Sequence, residues 1–351
     1  MKHTAELERI VSRFNGQKNF IDKLTTFLSS NNYLVTAIPP NDDLYSWSQN
    51  LFNLLYHFGK TDLSVARVYE GHVNAIKLIK DFGTESQRAF YFNEVSKGKI
   101  FGVWNTDAPK NPLKASFTET KMELNGSKIF CSGGYRIDYA IVTYGSSSNR
   151  QMAVVPINSR TSVQENYAFW QAMGMENSRS TELTFTNYHI EKNVQLGNPN
   201  DYELQPWFSG GSIRFCAAQI GGATSLYEET IEHLRRKGRH ENSQQLDRIS
   251  QMRVGIETGK LWINKAKEVY GNANRYSSPE IVDFSNMMRN VTTTICEKIL
   301  LLSTKSIGLP AYMNGHPVEQ KLRDLMVYVR QPNPDMVSHN IGLYGVNQTM
   351  E

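Results

Sequence analysis

The chain has 351 residues, of which 40% are apolar and 21% charged, and its formal net charge is +4. That length exceeds what one hydrophobic core serves, so two or three subdomains are expected. The composition excludes a disordered chain, the small dispersed charge argues against nucleic acid as a partner, and no apolar run approaches the ~20 residues that span a bilayer.

Residues 1–100 read as a helical domain. MKHTAELERIVSRF places Leu7, Ile10, Val11 and Phe14 on one face and has no signal-peptide apolar block. LYSWSQNLFNLLYHFG follows, and then DLSVARVYEGHVNAIKLIKDFG aligns Val65, Val68, His72, Ala75, Ile76 and Ile79 close to one stripe. His72 on that stripe reads as a hydrogen-bonded core histidine. TESQRAFYFNEVSKG has a Thr cap at Thr84 and a Gly stop at Gly98.

Over residues 101–205 the period falls to two. IFGVWNT, ASFTETKMEL, SKIFCSGG, YAIVTYG, MAVVPI and TELTFTNYHI read as short strands of a small barrel or sandwich. Asn125-Gly126 is a hairpin turn signal between two of them. From 206 to 351 the helical period returns, with long helices expected over 211–238, 243–271, 280–306 and 317–331. Together they predict an antiparallel four-helix bundle, so the fold class is α+β. Small residues in CAAQIGGA suit close helix contact. Cys131, Cys216 and Cys296 lie far apart with no CxxC pair, which points to free thiols in a reducing compartment, with the cytoplasm as the expected location.

Five segments in order resemble those of the acyl-CoA dehydrogenase family of flavoproteins. They are HVNAIKLIKDFGTESQRAFYFNEVSKGK (72–99), WNTDAP (104–109), NGSKIFCSGG (125–134), MGMENSRSTELTFTNYHI (173–190) and HPVEQKLRDLMV (316–327). The resemblance covers roughly residues 60–330. It implies FAD in a crevice between the β-domain and the bundle, a homodimer or homotetramer with flavin sites shared between subunits, and an acyl-thioester or other small-molecule substrate. An electron-transfer partner is implied if the reaction is dehydrogenation.

By position, Val103, Asn105 and Thr106 would line the flavin ring, Phe130 would cover one of its faces, and Ser132 would supply a hydroxyl. The bland alternative is alternating core residues with a capping Thr. Arg236 would reach the pyrophosphate of a neighbouring subunit's flavin, or it is one of several cations that favour a helix C-terminus. Gly308 is the one glycine kept from the family's glycine-rich loop around the partner's flavin.

The family's dehydrogenation needs a carboxylate across the substrate from the flavin. Both positions where the resemblance would place it hold other residues, Pro332 in QPNP and Ile213 before Arg214. Asp335 is the nearest carboxylate. Three readings stay open: a dehydrogenase with Asp335 as relocated base, a flavin monooxygenase of the same fold, and a non-catalytic binding protein.

Overall fold

A computed structural model describes residues 3–157 and 162–348. Five helices come first: α1 (Thr4–Phe14), α2 (Phe20–Ser30), α3 (Leu44–Thr61), α4 (Leu63–Phe82) and α5 (Glu85–Ser96). Side-chain caps start three of them, because the first turn of a helix leaves backbone donors unpaired. Asp43 accepts from Ser46 N at the start of α3, and Asp62 accepts from Val65 N (2.9 Å) at the start of α4. Thr84 and Gln87 form a reciprocal capping box at α5.

Eight strands follow: β1 (Phe101–Trp104), β2 (Lys114–Phe117), β3 (Lys121–Cys131), β4 (Tyr139–Tyr144), β5 (Gln151–Pro156), β6 (Val163–Asn166), β7 (Thr181–Glu191) and β8 (Gln195–Leu196). They form two four-stranded sheets, ordered β1-β4-β5-β8 and β2-β3-β7-β6, with β1 parallel to β4 and the other pairs antiparallel. The Asn125-Gly126 turn signal is a misreading. Both residues lie inside β3, at a register shift against β7, and the real turn sits earlier, where Thr118 N donates to Lys121 O (2.9 Å). Gly126 has φ +121°, and a Cβ there would stand 2.3 Å from Pro112 O, so this bulge needs glycine for its conformation and for space.

The remaining helices are α6 (Trp207–Gly210), α7 (Ser212–Arg236), α8 (Ser243–Gly271), α9 (Ser278–Ile307), α10 (Pro317–Tyr328) and α11 (Pro334–Gln348). The helix expected to run to 331 stops at Tyr328. A new helix begins six residues on, at Pro334, where a missing N–H costs nothing at the first helical position. The four-helix bundle therefore carries a fifth helix, packed on α9.

α7 is the axis of the molecule, in contact with α3, α4, α8, α9 and α10. Its small residues let α3 approach closely: a Cβ on Gly221 would stand 2.1 Å from Tyr56 O. A second lock joins the β-domain to the bundle, where Met175 N donates to the buried Asp324 carboxylate (2.5 Å). Burial and the neighbouring Asp62 carboxylate raise Asp324 to about 7. Among the described residues no helix is long and apolar enough to cross a membrane, and no three His, Cys, Asp or Glu side chains are placed to hold a metal ion.

Candidate functional site

The strand ends of β1 and β3 form a shelf that faces the N-terminal helices and the bundle. Ile129 N donates to Thr106 O (3.0 Å) and the Trp104 indole donates to Ser132 O (3.2 Å), which fastens the exit of β1 to the end of β3. Thr106, Phe130 and Ser132 are thereby brought together, whereas Val103, between Gly102 and Trp104 in β1, turns its side chain to the other face of that strand. Phe130 sits in the β3 bulge at φ +57°, a strained conformation for a bulky residue, and its ring is left 49% exposed. Phe169 and Trp170 pack edge-on against that ring, at 5.3 and 6.3 Å between centroids. The result is an open aromatic face with the Ser132 hydroxyl two residues further along the strand.

Ser132 is not free to rotate. Its oxygen accepts from Arg67 Nε (3.1 Å) and shares a hydrogen bond with Ser180 Oγ (3.0 Å). Arg67 is ion-paired to Glu70, Glu70 accepts from Asn74, and Asn74 accepts from Arg214 Nε (2.6 Å). Arg214 ends the chain on the Tyr270 hydroxyl (2.7 Å). Positions 67, 70 and 74 fall on one face of α4 (i, i+3, i+7), so a single helix carries this polar line from the β-domain to the bundle. Tyr328, at the end of α10, stands beside Arg67 and Glu70. Among the described residues its buried hydroxyl has no hydrogen-bond partner, and burial raises its pKa. Arg67, Glu70, Asn74 and Tyr328 escaped the sequence reading. The available signal was a polar stripe through an otherwise apolar helix.

Asn105 spends its side chain elsewhere. It accepts from Thr143 Oγ1 (2.7 Å) and Arg150 Nε (3.2 Å), and its carbonyl accepts from Lys128 Nζ (2.8 Å). Lys128 is fully buried and pairs with Asp107 (2.7 Å), which also pairs with Arg150 (2.9 Å). Burial draws the Lys128 ammonium down to about 8 despite the carboxylate.

The remaining expected residues lie apart from the shelf. Pro332 is exposed and Ile213 is buried, so neither seat of the family's base holds a carboxylate. Asp335 is an exposed residue in the first turn of α11, lining a recess against α9 and the start of α7 that shares no residue with the shelf. Arg236 is exposed at the C-terminal end of α7, 22 residues beyond Arg214 and so roughly 33 Å along the helix. Gly308 (φ +81°) ends α9 at the same end of the bundle. Neither reaches the shelf of its own chain. His72 is a core residue: Phe101 N donates to its Nδ1 (3.1 Å), which leaves Nε2 to donate to Leu34 O (3.1 Å). Burial lowers its pKa to about 4.

Helices, paired sheets and an α7-centred bundle, with a strand-end shelf between them, give the chain the acyl-CoA dehydrogenase fold. No protein-family profile matches it. An acyl-CoA dehydrogenase of Bacillus subtilis (strain 168) is 22% identical over 263 residues, covering 70% of this chain and 68% of the relative. The dibenzothiophene monooxygenase TdsC of Paenibacillus sp. A11-2, solved with FMN bound, superposes with a TM-score of 0.83 at 15% identity, over 99% of this chain and 98% of that one. The butyryl-CoA dehydrogenase of Megasphaera elsdenii superposes at 0.76 with 17% identity, over 97% of each chain.

Proposed function

We propose that this protein is a flavin-dependent oxidoreductase whose reaction is oxygen transfer of the monooxygenase type rather than thioester dehydrogenation. The observation that carries this reading is that neither expected seat of the base, Pro332 or Ile213, is a carboxylate, while the Arg67–Ser132–Tyr328 group lies at the shelf. Dehydrogenation needs a base beside the substrate's α-proton, and both expected seats lack one. A cation and two hydroxyls instead suit charge that builds up on oxygen.

The shelf fits a flavin. Phe130 offers a flat apolar platform, held outward by backbone strain, and Ser132 offers a hydroxyl whose direction Arg67 fixes. When bound and reduced, the flavin would supply two electrons for dioxygen chemistry. Arg67 would stabilise negative charge developing beside Ser132. Tyr328, with its pKa raised by burial, keeps its proton at neutral pH and can donate a hydrogen bond to that charge. Of the two flavin forms, the mononucleotide suits this chain better than FAD. The loop that would meet a partner's adenine half is Gly308-Leu309-Pro310-Ala311, and its single glycine limits close backbone approach. Arg236 and Gly308 would serve a shelf only across a subunit boundary, so the expected assembly is a homodimer or a pair of dimers.

A second reading is dehydrogenation with Glu70 as base. Glu70 is a buried carboxylate on this polar line, although Arg67 and Asn74 both hold it.

The test begins with the purified protein's visible spectrum and the identity of flavin released by heat. A colourless protein that takes up neither FMN nor FAD would sink both readings. Given flavin, we expect dioxygen consumption when reduced flavin is supplied and no anaerobic bleaching by an acyl-thioester panel. Arg67→Met should keep flavin binding and lose coupled turnover, whereas Asp335→Asn should leave turnover unchanged. Bleaching by any thioester, abolished in Glu70→Gln, would establish the second reading.

A further inference from the structure

A recess of ≈ 210 Å³ opens where α7 begins, between α9 and the turn that joins α10 to α11. Phe215, Arg289, Asn290, Thr293, Gln331 and Asp335 are among the residues that line it. It is smaller than the roughly 300–1,000 Å³ of drug-sized pockets and suits a small metabolite.

The charges in it are unusual. Arg289 is half-buried, and burial lowers its pKa, so its guanidinium has lost part of its water. Among the described residues one of its five N–H groups has a partner, donating to Pro332 O (2.7 Å); the guanidinium also lies over the Phe215 ring at 5.9 Å. No carboxylate lies within ion-pair distance of it among the described residues. The neighbouring arginines differ: Arg330 pairs with Glu297 (2.6 Å), and Arg323 pairs with Glu319. Asp335 lines the same recess and also has no ion pair or hydrogen bond among the described residues. The two opposite charges therefore share one cavity without meeting each other. A partly desolvated guanidinium is costly to leave unpaired, and a ligand that carries both charges would satisfy each.

We propose that this recess binds a free small zwitterion of the α-amino-acid type, with its carboxylate on Arg289 and its ammonium at Asp335. The Phe215 ring and the Val329 and Val337 side chains would cover a short aliphatic side chain. The site is independent of the flavin reading, because it shares no residue with the β1/β3 shelf.

Calorimetric titration of the full chain with L-alanine, propionate and ethylamine tests this directly. L-Alanine should bind saturably, propionate about tenfold or more weakly, and ethylamine not measurably, since each loses one charge-assisted contact. Asp335→Asn should lower L-alanine affinity to the propionate level and leave propionate binding as it was. Arg289→Leu should abolish both. If that change loosens the 331–333 turn, Arg289→Lys keeps the cation and should retain weakened binding. No saturable L-alanine binding, equal affinity for alanine and propionate, or alanine binding unchanged in Asp335→Asn would each overturn the proposal. Flavin content of the same samples reports separately on the shelf.

Discussion

At the residue scale, charge burial decides which polar side chains are structural and which are free to act. Lys128 has its three donors on Asn105 O, Thr143 Oγ1 and Asp107 Oδ1, so nothing is left for a ligand. Lys128→Met should destabilise the protein by about 3 kcal/mol, the lower end of the ~3–5 kcal/mol for breaking a buried pair, because Arg150 still holds Asp107. Urea unfolding with an unchanged m-value measures this, and a loss below about 1 kcal/mol would show that the cluster is expendable. Phe130 and Ser132 are singled out only by the resemblance of NGSKIFCSGG to a family segment, not by any local pattern of a bulged strand. The polar stripe of Arg67, Glu70 and Asn74 on α4 is visible in the sequence, but its function is not, because the partner Ser132 arrives only with β3. Asn105 was placed on the shelf by its neighbours in sequence, but Thr143 and Arg150, far along the chain, recruit its side chain.

At the element scale, periodicity carried most of the information. α8 begins and ends at the residues that the apolar spacing marked, and α7 and α9 differ from expectation by one or two residues. Turn chemistry misled once. Asn-Gly reads as a hairpin when strands are assumed to be short, yet β3 runs straight through it, because the docking of Pro112 against Gly126 is tertiary and invisible locally. The helix expected over 317–331 ends at Tyr328, and the second of the two prolines opens α11, which the apolar spacing does not mark. Gly126→Ala tests the bulge. Both its positive φ and its 2.3 Å contact oppose a Cβ, so a loss of about 2 kcal/mol or more is expected. Far-UV circular dichroism should change little at low temperature while the unfolding midpoint falls. An unchanged midpoint would mean that the strand relaxes around the methyl group.

At the scale of the whole molecule, α4 couples the three regions, and two buried groups near it give stability opposite dependences on pH. Asp324, raised to about 7 by burial and by Asp62, binds a proton in the folded state that an unfolded aspartate releases near 4. Its contribution is therefore fully present below about 4 and is lost as pH rises through about 7. His72, lowered to about 4, stays neutral when folded, whereas an unfolded histidine protonates below about 6.5. Its contribution is present above about 6.5 and is lost as pH falls toward 4. Each term has a slope of at most about 1.4 kcal/mol per pH unit, so between about pH 4 and 6.5 they largely cancel in the native protein. Single variants should uncover them with opposite signs. Relative to the native chain, Asp324→Asn should fare progressively worse as pH falls from 7.5 to 4.5, because only the native protein gains from the retained proton. His72→Gln should fare progressively better over the same interval, whatever its constant cost in packing and in the Phe101 and Leu34 hydrogen bonds. Urea midpoints at four pH values across that range separate the slopes from the offsets. Two difference curves that run flat would mean that neither group titrates differently on unfolding, and curves tilted the same way would mean that the link between α4, the β-domain and α10 does not rest on these opposed protonation states.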